Sequence, residues 1–225
     1  FDEKCLEIDS KAFARCINLQ TILLPISLNK LEFDAFYQCS NLSSITIPYQ
    51  ITVIESRLFY ECSMLSSIIF EGYIDTIESY AFYKCSQLTN ISLPEYLSRF
   101  EEYAFSNCDN LRSITIPQHV SSIDRYLFSN CFNLCTVVFL GDIRHIEFGA
   151  FYSCTSLHEI TFPESLYSID MEAFKYCESL TSIIIPKNIY DLGDECFQFC
   201  SSLRKVYFLG LNDLQYTNDA FNRII

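Results

Sequence analysis

Cysteine is the residue type of this sequence with the widest chemistry, because a thiolate can bind a metal, form a disulfide or act as a nucleophile. The chain has 12 cysteines among 225 residues, and nine of them recur at a constant interval of 23, from Cys16 to Cys200. Zinc sites need ligand pairs clustered in sequence. The two C-x3-C pairs, Cys131/Cys135 and Cys196/Cys200, have no matching second pair. The spacing therefore favours a structural repeat over a metal site.

A carboxylate also recurs once in nearly every 23-residue interval. This row has eight members and is interrupted at Gly193: Asp9, Glu32, Glu55, Glu78, Glu101, Asp124, Glu147 and Asp170. Calcium prefers roughly six to eight oxygen ligands, whereas the row offers one carboxylate per interval. We expect solvated acids that precede a helical turn, and cation binding by Glu32, Glu55, Glu78 and Glu101 stays open at this point.

The histidines give little support to catalysis. His119, His145 and His158 occupy different positions of the 23-residue interval, so no two of them share a row. None has a serine or cysteine nucleophile at a spacing that the repeat would bring close. The sequence therefore predicts no enzyme, and we expect neither catalytic residues nor a cofactor.

Charge and hydropathy exclude two further classes of partner. The chain has 15 Lys and Arg against 28 Asp and Glu, which gives a net charge of −13. Such a chain is repelled by nucleic-acid phosphates and by anionic lipids. The apolar runs extend over a few residues, whereas a membrane-spanning helix needs about 20. We expect no nucleic-acid binding and no membrane insertion within these residues.

The 23-residue period organises the rest of the sequence. We number each unit from its leucine, so that Leu19 and Leu42 are at position 1 and the periodic cysteines are at position 21. Apolar residues at positions 4 and 6 predict a short strand with one buried face. Position 18 is always phenylalanine, from Phe13 to Phe197, and its spacing of three from the cysteine predicts a single helical turn.

Each unit buries its apolar edge only by stacking on the next unit. We expect position-21 cysteines to be buried thiols and Cys135, at position 2, to be the one cysteine that faces solvent.

A longer period, which spans three units, is superimposed on the 23-residue period. Position 7 is proline except in every third unit, where Glu71, Leu140 and Leu209 replace it, and glycine follows in those units. This superperiod is 69 residues. We expect the glycines to turn the same corner as the prolines by adopting positive φ. Near the C-terminus the register shifts, because Ala220 and Phe221 lie one residue later than the repeat predicts.

The unit L-x-x-I-x-I-P-x-x-[IVL]-x-x-I-x-x-x-[AL]-F-x-x-C, as in residues 42–62 and 111–131, resembles the BspA-like subclass of leucine-rich repeats. The resemblance implies an α/β repeat solenoid: an arc of about ten 23-residue coils with a parallel β-sheet on the concave face and short helical turns or loops opposite. We expect residues 1–225 to form a single solenoid, a fragment of a longer protein. Members of this family are surface or secreted proteins associated with adhesion.

Solenoids bind partners through strand side chains that face solvent, because those side chains are free of packing duty. Positions 3 and 5, with position 2 toward the C-terminal end, form that face. The candidate partner-binding residues are Asn90, Thr115, Thr136, Val138, His158, Glu159, Thr161, Ile184, Arg204, Lys205 and Tyr207. Such residues also suit a strand surface that has no binding role.

Tyrosines recur at position 19 (Tyr37, Tyr60, Tyr83, Tyr152) and at position 16 (Tyr80, Tyr103, Tyr126). They either shield a core edge or form an aromatic patch for carbohydrate or protein.

These observations favour a non-enzymatic protein-binding module, a surface-exposed or secreted adhesin or antigen that contacts a host or neighbouring-cell protein. The alternative is an intracellular scaffold for protein–protein interaction. A cytoplasmic location stays open because reduced thiols suit a reducing compartment.

Overall fold

The computed structural model describes residues 5–210 and the backbone of residues 215–216. It confirms a parallel solenoid in which residues 23 apart lie beside one another, as Ile45 and Ile68 do. Nine coils with a phenylalanine at position 18 lie in this part of the chain. Ala220 and Phe221 lie outside the described residues.

The strands of the described residues form two classes. Six strands have four residues and lie at positions 3–6: β3 (Ser44–Ile47), β5 (Ser67–Phe70), β8 (Ser113–Ile116), β10 (Thr136–Phe139), β13 (Ser182–Ile185) and β15 (Lys205–Phe208). Ten strands have two residues: β1 (Glu7–Ile8), β2 (Lys30–Leu31), β4 (Val53–Ile54), β6 (Thr76–Ile77), β7 (Arg99–Phe100), β9 (Ser122–Ile123), β11 (His145–Ile146), β12 (Ser168–Ile169), β14 (Asp191–Leu192) and β16 (Gln215–Tyr216).

The four-residue strands pair only two by two, as β3 with β5, β8 with β10 and β13 with β15. The residue after the strand explains this grouping. In the second coil of each pair the N–H of Glu71, Leu140 or Leu209 donates to the position-6 carbonyl of the preceding coil at 3.0 Å. At the other coil junctions this residue is a proline, which has no N–H: Pro48, Pro94, Pro117, Pro163 and Pro186. The superperiod of the sequence is therefore a periodic interruption of the sheet.

The glycines at position 8, which follow these N–H donors, were expected to turn a corner by adopting positive φ, and their role is different. Gly149 is the glycine with positive φ, and Gly72, Gly141 and Gly210 do not have it. A Cβ on Gly72 would lie 2.2 Å from the carbonyl oxygen of Tyr49, and a Cβ on Gly141 would lie 2.1 Å from that of Gln118. Glycine is required there because the paired coils approach each other too closely for any side chain.

The two-residue strands form a second, unpredicted set of parallel ladders at positions 12–13. They pair in the orders β1-β2, β4-β6-β7 and β16-β14-β12-β11-β9. The pairing of β14 with β16 joins Asp191 to Gln215, an offset of 24 rather than 23 residues. The expected shift of register near the C-terminus is therefore already present at β16.

The expected helical turns are absent, and the described residues contain no helix. Positions 14–21 form successive turns instead, in which the N–H of Ala35 donates to the carbonyl of Glu32 and that of Cys39 to Phe36. Alternate N–H groups point to the next coil, as that of Phe36 donates to Leu58 at 3.1 Å. The residues at positions 16 and 20 adopt φ between 51° and 63° in every coil, which breaks the succession of right-handed residues that a helix needs.

Each coil has three segments, at positions 3–6, 12–13 and 14–21, and the core lies between them. Its centre is a column of nine phenylalanines at position 18, whose ring centroids are 5.0–5.8 Å apart. The position-21 cysteines from Cys39 to Cys200 are fully buried beside this column. Consistent with the absence of helices, no segment of the described chain is a helix that could cross a membrane.

Candidate protein-binding face

The outward residues at positions 2, 3 and 5 of the four-residue strands and of the equivalent unpaired segments are called the strand face here. Strand β8 shows how this face arises from the alternation of side chains along a strand, since Ile114 and Ile116 are buried while Ser113 and Thr115 are exposed. All eleven candidate partner-binding residues are exposed on this face: Asn90, Thr115, Thr136, Val138, His158, Glu159, Thr161, Ile184, Arg204, Lys205 and Tyr207. Their role in binding stays a prediction.

Strand pairing brings some of these residues into direct contact range. Thr115 lies beside Val138 in the β8–β10 pair, and Ile184 lies beside Tyr207 in the β13–β15 pair. The side chains of Ile184 and Tyr207 are 52% and 50% exposed. Each strand pair therefore presents at least one exposed apolar side chain at position 5, and the pairs are separated by an unpaired coil.

Two clefts open on the strand face at junctions where proline prevents strand pairing. One has a volume of about 470 Å³ and lies between residues 91–95 and residues 115–118, with Leu140 at its edge. The other has a volume of about 400 Å³ and lies between residues 135–139 and residues 159–163. Four candidate residues line this second cleft, namely Thr136, Val138, Glu159 and Thr161.

The unpaired segments beside these clefts have backbone N–H groups without a backbone partner in the part of the chain that the structure describes. Within the described residues, the backbone N–H groups of 90–93 and of 159–162 donate to no backbone carbonyl. Val138 and Leu140, which are 42% and 63% exposed, stand at the rims. A partner can therefore bury an apolar side chain here and accept hydrogen bonds from the backbone.

Sequence reasoning missed Leu140 and the cleft residues Pro117 and Pro163, because it assigned position 7 to corners of the coil. The signal was present in the proline superperiod. Proline at the second of two adjacent coils removes the donor that closes the sheet, so each such junction marks a potential cleft.

The buried thiols are unsuited to nucleophilic chemistry. Every cysteine carries a thiol rather than a disulfide. Burial raises the pKa of Cys39 to about 11 and the pKa of Cys131 to about 12, which keeps these groups protonated at neutral pH. Cys135 is half-buried and Cys16 is exposed, so the expectation that Cys135 alone faces solvent is wrong. Cys16 belongs to the first coil of the described residues.

Each buried thiol instead donates a hydrogen bond. The Sγ of Cys108 lies 3.2 Å from the carbonyl oxygen of Phe82 in the preceding coil, and the Sγ of Cys62 lies 3.1 Å from that of Phe36. The same contact recurs for every position-21 cysteine from Cys39 to Cys200. The cysteines thus join adjacent coils as well as fill the core.

The acidic row has a structural role that differs from the expected one. The Oε2 of Glu32 accepts the backbone N–H of Ser10 at 2.9 Å, and the Oε2 of Glu78 accepts that of Ser56 at 2.9 Å. Burial, followed by the charge of Glu78, raises the pKa of Glu55. These carboxylates join neighbouring coils and do not precede helices.

Metal and acid–base chemistry find no further support. The described residues contain no group of three or more His, Cys, Asp or Glu that could hold a metal ion. His119, His145 and His158 are exposed, and the Nδ1 of His145 is 2.9 Å from the hydroxyl of Ser168.

The tyrosines of positions 16 and 19 are half-buried on the side of the solenoid formed by the turns of positions 14–21, called the turn side here. All of them except Tyr152 stack in two columns. Tyr80, Tyr103 and Tyr126 have centroid spacings of 4.7 and 4.8 Å, and Tyr37 and Tyr60 are 4.9 Å apart. Burial raises the pKa of Tyr103 to about 12. This arrangement supports the shielding of a core edge along most of the column.

Comparison with known families gives a match over most of the chain. A family model of the BspA-type leucine-rich repeat region matches residues 6–135 and 121–223, with six copies of the repeat. No curated protein matches the chain.

Solved structures share the fold. A leucine-rich repeat protein from Bacteroides ovatus is 22% identical with a TM-score of 0.59, and the match covers 94% of this chain and 78% of that one. A leucine-rich cell-surface protein from Faecalibacterium prausnitzii is 24% identical with a TM-score of 0.50, over 91% of this chain and 70% of that one. The pneumococcal vaccine antigen PcpA is 16% identical with a TM-score of 0.54, over 96% and 76% of the two chains.

Proposed function

This chain belongs to the BspA-type leucine-rich repeat family, and from that premise we propose that it is a surface-exposed or secreted adhesin that binds a protein of a host or neighbouring cell. Repeats of this family form a non-catalytic scaffold for protein interaction. The single observation that carries the proposal is the pair of clefts on the strand face, with exposed apolar side chains at their rims.

The clefts supply the features that a protein-binding hot spot needs. Hot spots bury an apolar anchor in a pocket surrounded by groups that exclude water. Val138 and Leu140 offer apolar surface to a partner, while the N–H groups of 159–162 offer donors. Thr115, Thr136, Glu159 and Thr161 extend the contact across the interrupted sheet.

The C-terminal end of the face adds charge and a second apolar pair. Arg204 and Lys205 are exposed beside the pair formed by Ile184 and Tyr207, in a chain whose net charge is −13. A local basic group on an acidic molecule orients an acidic partner. Asn90 and His158 lie farther along the same face, and the Oδ1 of Asn90 accepts the hydroxyl of Ser113 at 3.1 Å.

A cell-surface or secreted location is part of the proposal and draws support from the neighbour described as a cell-surface protein and from the one described as a vaccine antigen. Antibody labelling of intact cells should detect the protein without permeabilisation. Labelling that requires permeabilised cells would instead favour the intracellular scaffold.

The binding face is tested with charged substitutions at the cleft rims. A protein captured from host extracellular fluid by the native chain is identified, and its affinity is then measured by biolayer interferometry. We expect Val138→Glu combined with Leu140→Glu to weaken binding at least tenfold, because the carboxylates would be desolvated in the contact.

Met171→Glu is the matched control, since Met171 has the same exposed fraction as Val138, 42%, and lies off the strand face. Full binding by the double variant, or equal loss in the control, would refute the strand face as the site.

A further inference from the structure

The stacked tyrosines of position 19 stop at Tyr83. Tyr60 and Tyr83 stack with centroids 4.8 Å apart, but the next two residues at this position are Ser106 and Ser129, and a single tyrosine, Tyr152, follows before Lys175. The missing rings leave a cleft of about 350 Å³ on the turn side of the solenoid. This volume lies within the range of small-ligand sites, which are roughly 300–1,000 Å³.

The two coils of the cleft carry the same side chains. The sequence Phe-Ser-Asn-Cys occurs at residues 105–108 and again at residues 128–131, and a tyrosine stands two residues before each, Tyr103 and Tyr126. Their serines, asparagines and tyrosines all line the cleft. The cleft therefore has two subsites of the same residue types about 4.8 Å apart, which is the spacing of adjacent parallel strands.

The floor of the cleft is a fixed chain of hydrogen bonds. The amide Nδ2 of Asn107 donates to the hydroxyl of Ser106 at 2.8 Å, and the hydroxyls of Ser106 and Ser129 are 2.8 Å apart. The hydroxyl of Ser129 donates to the carbonyl of Tyr126 at 3.0 Å, so Ser106 is the donor to Ser129. Both serines are almost fully buried, at 1% and 2% exposure, and the floor is set before any ligand binds.

The walls keep hydrogen-bonding groups for a ligand. Within residues 5–210, the Oδ1 of Asn107 accepts no hydrogen bond and the side-chain amide of Asn130 has no hydrogen-bond partner. Each amide supplies both a donor and an acceptor. The carboxylate of Glu172 at one edge already binds the Nζ of Lys175 at 2.8 Å. The free groups of the cleft are thus mainly neutral donors and acceptors.

We propose that this cleft binds a neutral oligosaccharide of two linked sugar units, one unit for each Phe-Ser-Asn-Cys coil. Sugar hydroxyls pair with side-chain amides and hydroxyls, which offer both donors and acceptors, and the accessible lining of the cleft is mostly polar. The net charge of −13 disfavours anionic glycans. The cleft lies on the turn side, so its ligand is independent of the partner of the strand face.

The proposal is tested on an array that carries neutral oligosaccharides, sialylated and sulfated glycans, and serine- and threonine-rich peptides. We expect binding to neutral glycans, which is then measured through tyrosine fluorescence, since the chain has 15 tyrosines and no tryptophan. Ser106→Tyr combined with Ser129→Tyr completes the tyrosine column and should lower the affinity at least tenfold. Ala14→Tyr extends the same column beyond Tyr37, far from the cleft, and should leave the affinity unchanged.

A second double variant tests the cleft without adding tyrosines, whose bulk could disturb folding. Asn107→Gly combined with Asn130→Gly removes the amides but suits the φ of 59° and 58° at these residues, and it should also weaken binding at least tenfold. The proposal is overturned if no neutral glycan binds, if only anionic glycans or peptides bind, or if both double variants bind like the native chain. None of these results bears on the strand face, whose test uses a protein partner.

Discussion

The position-21 cysteines are donors as much as apolar side chains. Cys108 is fully buried and its Sγ donates to the carbonyl of Phe82 at 3.2 Å. If the thiol only fills space, alanine is the better replacement because a buried hydroxyl is costly to desolvate. If the thiol links two coils, serine is better because its hydroxyl keeps a donor for the same carbonyl.

We therefore expect Cys108→Ala to lower the free energy of unfolding by about 1–3 kcal/mol and Cys108→Ser to lower it by less. Urea titration of the two variants measures the difference. At Cys135 the Sγ also donates to a carbonyl, that of Asn133 at 3.2 Å, but this contact is exposed, so water can replace a lost donor and the same two substitutions should differ little. An alanine variant more stable than the serine variant at Cys108 would contradict the donor role.

Residue types in the core could be predicted from the sequence because burial follows directly from the period. Phe105 and Leu111 are buried as their repeat positions require. The thiol–carbonyl bonds could not be predicted, because they depend on the distance between Cys108 and a carbonyl 26 residues earlier. That distance follows from how one coil sits on the next, which the spacing of apolar residues does not report.

At the scale of the element, one missing N–H decides where the sheet is interrupted. Leu140 donates to Ile116 and closes the β8–β10 pair, whereas Pro117 and Pro163 leave their junctions open. The prolines were visible in the sequence, and the clefts of the strand face follow from them. The helical turns were predicted wrongly, because a spacing of three between Phe and Cys is shared by a helix and by successive turns with left-handed residues between them.

Close contact between paired coils predicts that substitutions at position 8 of two neighbouring coils differ sharply in their effect on the free energy of unfolding. Gly141→Ala places a Cβ 2.1 Å from the carbonyl oxygen of Gln118, so the coils must separate. We expect a loss of about 2 kcal/mol in the free energy of unfolding, measured by urea titration.

Gln118→Ala is the matched control at position 8 of the preceding, proline-containing coil. Gln118 is exposed, and a surface truncation of this kind changes stability by less than about 0.5 kcal/mol. Equal stability of the two variants would show that the coils do not approach as closely as the Gly141 contact implies.

At the scale of the molecule, the three-coil block is the structural unit of the strand face. Each block contains one paired sheet and one unpaired coil, and the 470 Å³ and 400 Å³ clefts lie on either side of the β8–β10 pair. The two coils of the turn-side cleft belong to the same central region, since they contain Ser106 and Ser129. The middle of the solenoid therefore carries clefts on two sides, while its stability comes from contacts repeated along the whole stack.

Because buried thiols occur along the whole stack, the stability of the molecule should depend steeply on alkaline pH. Burial raises the pKa of Cys39 to about 11 and that of Cys200 to about 12, and it also raises the pKa of Cys62 and Cys108. In an unfolded chain a thiol has a pKa of about 8.5. Above that pH the unfolded state loses protons that the folded state retains, so the folded state loses relative stability as pH rises.

We expect the urea midpoint to be constant up to about pH 8 and then to fall steadily toward about pH 10, before most tyrosines ionise. Each buried thiol contributes about 1.4 kcal/mol per pH unit to this fall above its unfolded pKa, so several thiols together make it steep. High salt separates this effect from general repulsion, because salt screens charge on the surface but leaves the burial of a thiol unchanged. A midpoint that is flat over this range, or a fall that disappears in high salt, would mean that the cysteines ionise as readily in the stacked coils as in the unfolded chain.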